Sequence, residues 1–455
     1  MRAVMNNDSL SLKAVTLIVL VGAVAFMISH LSPWLAPLSL IYLWSAGKLS
    51  LCSRPRVALR AGFVLGMLVY AVHLRFFWGI FGAGAIALWG IISAWLGLFA
   101  AAACLARVSL PRTAFHLSLP ILWLACEYTR SELYYLRFSW GAPSYSWHAY
   151  PGVAGWIGMY GLSALVLVLL ALPRTCGAKG RWALLFLICG TINVAASNPY
   201  VAGVQIEFEE EPTILAALDR LYEEHPAVDI AVLPEYTLQG EVPDSILDWC
   251  REHGVYLVVG GMVKLEDGYN NTAFVVSPEG AVVHSQGKSV PIQFFNDGFP
   301  AKTQQVWNSP WGAIGICICY DMSYTRVTDE LIRQGAQALI VPTMDVKEWG
   351  EYEHRLHGKV APIRAAEYRV PIMRVCSSGI SQLITADGKV VATASFPGRL
   401  ETLGGQLEMS DNPRLPLDRY LAIPCLVFGV LIILACYLRR VRPQLLAESN
   451  DSQQS

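Results

Sequence analysis

Charge is scarce in this chain. Only 15% of its 455 residues are Asp, Glu, Lys or Arg, against roughly 25% in soluble domains. The formal net charge is −1, so nothing in it calls for nucleic acid as a partner. The deficit is local. Residues 14–47, 76–106, 138–173 and 420–438 hold no charged side chain at all. Regular cysteine spacing is also missing. Cys250, Cys317, Cys319 and Cys376 share one region without the pattern of a disulfide framework or a zinc site, so neither is expected there. No sequence repeat is evident.

A membrane crossing needs about 20 mainly apolar residues. The uncharged runs and their neighbours suggest spans near 14–30, 33–47, 58–74, 80–105, 113–128, 153–173, 181–197 and 420–438. The first is followed at once by another apolar run and lacks a clear small-residue cleavage site, so it reads as an anchor rather than a signal peptide. Lys and Arg crowd alternate loops: Lys48, Arg54, Arg56 and Arg60, then Arg107 and Arg112, then Arg174, Lys179 and Arg181, then Arg439, Arg440 and Arg442. The positive-inside rule then places both termini in the cytoplasm and the long charged segment outside. The expected divisions are a membrane domain at 1–198 with about seven helices, an external domain at 199–415, a last span at 416–442 and a disordered cytoplasmic tail at 443–455.

From about Tyr200 the pattern changes to short apolar runs alternating with charged helical segments. DIAVLP (229–234), VYLVVGG (255–261), TAFVVS (272–277), AVVHS (281–285), GAIGICICY (312–320), ALIVP (338–342) and PIMRVCSS (371–378) read as strands. Segments 211–224, 244–253, 325–335 and 351–368 read as helices between them. The fold class is α/β.

Three residues in that domain carry chemistry: Glu235 in AVLPEYTL, Lys288 in SQGKSVP and Cys319 in GICICYDMSY. Alone, each has an ordinary explanation: a solvated strand-end acid, a surface lysine, a buried small apolar residue. Together they are a thioester-forming set, with a carboxylate to take the thiol proton, a thiolate to attack a carbonyl and an ammonium to steady the oxyanion. Cys317 and Cys319 alternate onto one face, and Cys319 is the one at the point where the chain turns out of the sheet.

The LPE, GK and ICYD segments, in that order, resemble the Glu-Lys-Cys nitrilase (carbon-nitrogen hydrolase) superfamily. LWLACEYTRSELYYLRFSWGAPSYSW, with Trp123, Glu127, Arg130, Phe138 and Trp140, and the later GWIGMYGLSALVLVLL are similar to the membrane domain of the apolipoprotein N-acyltransferase family. Asp345, Trp349-Gly350, His354, Arg364-Ala-Ala-Glu367 and Ser378-Gly379 repeat that family's pattern after the cysteine. The resemblance implies a polytopic helical membrane domain plus an extracytoplasmic nitrilase-like α-β-β-α sandwich, in a bacterial inner membrane. It also implies a ping-pong reaction without a cofactor or metal. Cys319 takes an acyl chain from a phospholipid, and the α-amino group of a diacylglyceryl-cysteine lipoprotein accepts it. Glu235 would be base and then acid, and Lys288 with the Tyr320 N–H would hold the oxyanion.

The chain departs from the family at three places. The segment after Lys288 is shorter before its proline and lacks the usual fourth acid, for which Asp297 is the available stand-in. The opening VAGVQIEFEEEPT replaces a Gln-Gly-Asn-Ile-Pro-Gln run, and Asp321 replaces a Glu. These keep open a membrane-tethered amidase or nitrilase, or an N-acyltransferase with another amine acceptor. Phe294, Phe295 and Trp349 are candidates for substrate contact as lid residues, or ordinary packing. Glu127 and Arg130 either meet a lipid headgroup or pair with each other. His354 and His357 could share a helix face, but no third metal ligand accompanies them.

Overall fold

The computed structural model describes residues 9–171, 198–398 and 400–451, and the chain divides into a helical unit and an α/β unit. Among the described residues, five helices are long and apolar enough to cross a membrane: Leu12–Ser29, Pro55–His73, Gly84–Ser109, the segment Pro151–Val168 and Asp418–Arg440. The expected span at 33–47 is not one of them. Pro33 and Pro37 tighten its first half into a 3₁₀ helix, Pro33–Leu38, and leave an α-helix of only 10 residues, Ser39–Lys48. The α part rises about 15 Å at 1.5 Å per residue, and the 3₁₀ part, at about 2.0 Å per residue, adds about 12 Å. Arg112–Tyr128 is likewise short, at 17 residues with Pro120 inside, and runs into a π turn at Thr129–Leu133. The stretch 181–197 lies outside the described residues. The last helix continues to Asp451, past the point where a disordered tail is expected to begin.

Small residues bring these helices together. A Cβ on Gly62 would sit 2.7 Å from the Leu96 carbonyl oxygen, and one on Gly66 would sit 2.8 Å from Ser93 Cα. From the facing helix, a Cβ on Gly97 would meet the Leu59 oxygen at 2.8 Å. This is backbone-to-backbone packing through small residues four apart, the device available where no hydrophobic effect drives helix pairing. The helix Ala154–Ala171 kinks at Gly158, whose φ is +76. Asp418, buried, accepts hydrogen bonds there from Tyr160 N (3.1 Å) and Gly161 N (3.3 Å), capping the helix that restarts.

In the α/β unit twelve strands form two six-stranded sheets. The first holds β1 (Tyr200–Val204), β2 (Ile230–Val232), β3 (Tyr256–Leu265), β4 (Gly268–Val276), β5 (Val282–Gly287) and, beside β1, β12 (Thr402–Gln406), in the order β12-β1-β2-β3-β4-β5. The second holds β6 (Val306–Ser309), β7 (Gly312–Ile316), β8 (Ala338–Thr343), β9 (Ile372–Cys376), β10 (Ser381–Ile384) and β11 (Val390–Ala394), ordered β6-β7-β8-β9-β10-β11. Each sheet has three parallel strands followed by two antiparallel ones, with one antiparallel strand on the other flank. The topology therefore repeats although the sequence does not.

Alternation along β1 sets the layers. Ala202 and Val204 join Ile214, Ala217, Leu218 and Leu221 of the helix Glu211–Glu224 in one core, with Ile246 and Trp249 of the helix Asp244–His253. Gly203, one pleat over, faces the other sheet, where any Cβ would lie 2.5 Å from Val375 Cγ2. The 3.6-residue spacing in the helix and the period of two in the strand bury both elements against each other. The segment 351–368, expected as one helix, is two, Glu351–His357 and Val360–Tyr368, separated by Gly358 and Lys359.

Candidate active site

Glu235 lies just past β2, and the chain is held close there. A Cβ on Gly260 of β3 would fall 2.5 Å from Glu235 Cα, so only glycine lets β3 pass. Tyr236 beside it sits at φ +57. Lys288 follows β5 directly, its N–H bonded to the Asn271 carbonyl of β4 at 2.8 Å. Lys288 Nζ lies 2.8 Å from Glu235 Oε1 and 2.6 Å from Asp297 Oδ2, all three side chains buried. Asn271 Nδ2 donates to Glu235 Oε1 at 2.6 Å and to Asp297 Oδ1 at 3.1 Å, tying the two acids together behind the lysine. Tyr236 Oη donates to Asp297 Oδ1 at 2.8 Å and the Ile292 N–H to its Oδ2 at 2.7 Å.

The strand expected at 312–320 ends at Ile316. Cys319 opens the short helical turn Cys319–Ser323 instead, at φ +50, a region that side-chain-bearing residues seldom adopt. Such strain persists where surrounding bonds enforce it, and here Asp321 does so. Its carboxylate accepts from Ile318 N (3.2 Å), Ser289 N (3.0 Å) and Val290 N (2.7 Å), fastening the cysteine turn to the loop after Lys288. Glu235 and Cys319 converge on Met344, just past β8. The Met344 N–H donates to Glu235 Oε2 at 2.8 Å, and Cys319 Sγ lies 3.8 Å from the Met344 carbonyl oxygen. The Tyr320 ring is buried, edge-on to Tyr324.

Burial raises the Cys319 thiol well above its ordinary range, and the Glu235 carboxylate adds to that while Lys288 opposes it. The resting sulfur is therefore a protonated thiol that needs a base. Burial also raises Glu235, with the Lys288 charge pulling the other way. Burial alone would lower Lys288, but Glu235 and Asp297 hold it well above its usual value, a fixed cation. For Asp297, burial is outweighed by Lys288, so it stays below the usual carboxylate range.

A second buried cluster stands beside the sulfur. Asp345 accepts from Arg374 Nη2 and His357 Nδ1, each at 2.7 Å, and Cys319, Asp345 and His357 bring ligand atoms within 4.8 Å of one another. Asp345, Glu353 and His354 form a similar group. These are the donor types of a transition-metal site, but both Asp345 oxygens are already occupied. A dication there would face the Arg374 guanidinium, so the cluster fits an ion-pair network better than a metal centre.

Phe294 and Phe295 stand 68% and 41% exposed on the loop that carries Asp297, and Phe295 meets Trp349 edge-on at 6.1 Å. Trp311 packs on Tyr256 at 5.7 Å. Glu127 and Arg130 belong to the helical unit, where each bonds a different aromatic side chain. Glu127 accepts from Trp123 Nε1 at 2.8 Å and Arg130 donates to the Tyr70 hydroxyl at 3.1 Å. The two line a small, mainly apolar cleft with Tyr42, Trp95 and Phe99. Sequence reasoning missed Asn271, the Met344 backbone, and Arg374, the cation that pairs with Asp345. Asn271 had a readable signal, since an amide inside an apolar strand needs a buried partner.

Residues 202–410 match the carbon-nitrogen hydrolase family and residues 18–172 the apolipoprotein N-acyltransferase N-terminal domain. An apolipoprotein N-acyltransferase of Geobacter metallireducens is 27% identical over 451 residues, covering 82% of this chain and 86% of that protein. One from Shewanella oneidensis is 22% identical, covering 74% and 77%. Over a shorter stretch, 36% of this chain, the omega-amidase NIT2-B of Xenopus laevis is 25% identical. Among solved structures, Saccharomyces cerevisiae Nit3 of the nitrilase superfamily covers 48% of this chain and 93% of its own, at 20% identity and a TM-score of 0.40. Two repeated sheets and the hydrolase match define a nitrilase-superfamily enzyme joined to a bundle of apolar helices. Since its N-terminal region also matches, and relatives of that name run along most of its length, the chain belongs to the apolipoprotein N-acyltransferase family.

Proposed function

We propose that this protein transfers an acyl chain from a phospholipid, through a thioester on Cys319, to the α-amino group of a diacylglyceryl-cysteine lipoprotein. The observation that carries the reading is the convergence on Met344: Glu235 binds its N–H while the Cys319 thiol faces its carbonyl, with Lys288 fixed on the same carboxylate. Glu235 takes the thiol proton as sulfur attacks the donor ester, then passes it to the departing glycerol oxygen, releasing lysophospholipid. Lys288, with the backbone N–H of Tyr320, stabilises the oxyanion. In the second half the amine attacks the thioester, gives a proton to Glu235, and the thiol is regenerated by its return. Asp297 keeps Lys288 charged throughout and fills the place of the family's fourth acid. The exposed Phe294 and Phe295 cover the acyl chain. The α/β unit stands on the outer face of a bacterial inner membrane, with both termini in the cytoplasm.

Hydrolysis of an amide is the second reading, favoured by the omega-amidase relative and by Asp321 after the Cys-Tyr pair. A radiolabelled phospholipid tests both, along with transfer to a different amine. Label should appear on Cys319, be released by hydroxylamine and chase onto a diacylglyceryl lipopeptide. Loss of label to water alone would favour the hydrolase, and transfer only to other amines would sink the lipoprotein acceptor.

A further inference from the structure

Away from Cys319, the α/β unit holds two arginines that have no counter-ion among the described residues. The guanidinium carbons of Arg369 and Arg414 both lie over the Trp156 ring, 4.9 and 4.1 Å from its centre. Arg414 spends one N–H on the Gly155 carbonyl at 2.9 Å. Among the described residues, Arg369 makes no side-chain hydrogen bond and no carboxylate pairs with either arginine. Burial lowers both guanidiniums, and Arg414 also feels the positive charge of Arg369. Two like charges gathered on one indole repel each other, and stacking on the ring offsets that only in part.

The position matters as much as the charge. Trp156 lies inside the apolar segment Pro151–Val168, and Arg414 precedes Asp418, where the segment Asp418–Arg440 begins, by four residues. At no more than about 3.5 Å per residue, Arg414 is within about 14 Å of that second entry point. Tryptophan 40% exposed at the mouth of an apolar helix is the usual furniture of a membrane-water interface. Planar guanidinium forks match phosphate oxygens in pairs.

We propose that Arg369, Arg414 and Trp156 form a binding site for the phosphodiester of a membrane phospholipid, seated where two apolar helices enter the bilayer. The anion lies between the guanidiniums, the indole supports their planes, and the acyl chains run down into the membrane. Its lipid is a bound neighbour, not the donor consumed at Cys319.

The test uses the full chain in dodecyl maltoside, titrated with dioleoylphosphatidylglycerol, with dioleoylglycerol (the same chains without phosphate) or with inorganic phosphate, reading the thermal midpoint. Phosphatidylglycerol should raise it, and the other two should not. Arg369→Asn suits the left-handed backbone at φ +57 and should leave Cys319 labelling intact while weakening the lipid response about tenfold. An equal response to dioleoylglycerol, an equal response to phosphate alone, or an Arg369→Asn protein titrating like the parent would each overturn the site. Should Arg369→Asn lower the lipid-free midpoint, Arg369→Lys replaces it, keeping charge but losing the fork. It should fall between parent and Asn, and a parent-like titration would overturn the proposal equally.

Discussion

The two sheets have the same strand order and carry different chemistry at their ends. The first supplies Glu235 after β2, Asn271 in β4 and Lys288 after β5. The second supplies Cys319 after β7, the Met344 backbone after β8 and the Asp345–Arg374–His357 network. In the proposed reaction, neither sheet alone would hold the base beside the nucleophile. Repeating one topology face to face lets each half specialise: one gathers the buried Glu235–Lys288–Asp297 charges, proposed for proton transfer and the oxyanion, and the other holds a strained sulfur beside an ionic network.

Removing the sulfur is the harshest way to break this division. Cys319→Ala should lower thioester labelling by about 10³-fold or more, because the remaining groups have nothing to acylate. Thermal unfolding should barely change, since an alanine side chain fits the same space. Labelling that survived would put the nucleophile elsewhere.

The cations of the two halves give a sharper contrast. Lys288→Met should reduce turnover by about 10²- to 10³-fold through loss of the oxyanion partner. Arg374→Met leaves Asp345 buried and half-paired, which should cost about 3–5 kcal/mol of stability while the protein that stays folded still labels. Paired assays of labelling and unfolding would show the contrast. If both variants fell alike on both measures, the split between a working wall and a supporting wall would be wrong.

How much of this was readable beforehand follows from which forces act locally. Strand-end motifs announced Glu235, Lys288 and Cys319, because a polar residue terminating an apolar run must leave the sheet. The helices 211–224 and 244–253 followed from their amphipathic spacing. Asn271, Met344 and Arg374 act through partners 36, 109 and 29 positions away, and no local pattern encodes a partner at that distance. The run at 33–47 is helical but divides into a 3₁₀ and an α segment, because hydropathy counts residues and does not register where prolines tighten the turn. Its repeated topology also escaped notice, since only alternation and the glycines at close approaches need persist for two sheets to share an order.

Acid should separate the walls. Burial holds the His357 imidazole down at about 4, outweighing the attraction of Asp345, against about 6.5 for an unfolded histidine. A depressed folded value means the stabilisation is full above 6.5 and disappears as pH falls through 4, because the unfolded chain binds a proton that the folded one refuses. The difference corresponds to about 3 kcal/mol. Thermal midpoints should therefore drop between pH 6.5 and 4, and His357→Gln should flatten that part of the curve. An unchanged slope in the variant would mean that another group governs it.

The smallest effect expected is at Asp297, and it concerns the wall that works. This carboxylate sits 2.6 Å from Lys288 Nζ but reaches the Cys319 chemistry only through that lysine and Asn271. Asp297→Asn keeps the shape and the Asn271 contact region while removing a charge, so Lys288 retains Glu235 as its counter-ion. Turnover should fall only about tenfold, in keeping with the loss of one charge-assisted hydrogen bond. Asp297→Glu, one methylene longer, must fit the bonds from Tyr236 and the Ile292 N–H, and should recover part of the loss if charge is what matters. Recovery in Glu but not in Asn would mark Asp297 as the group that keeps the lysine positive. Equal rates in all three proteins would leave the first sheet's proton transfer to Glu235 and Lys288 alone.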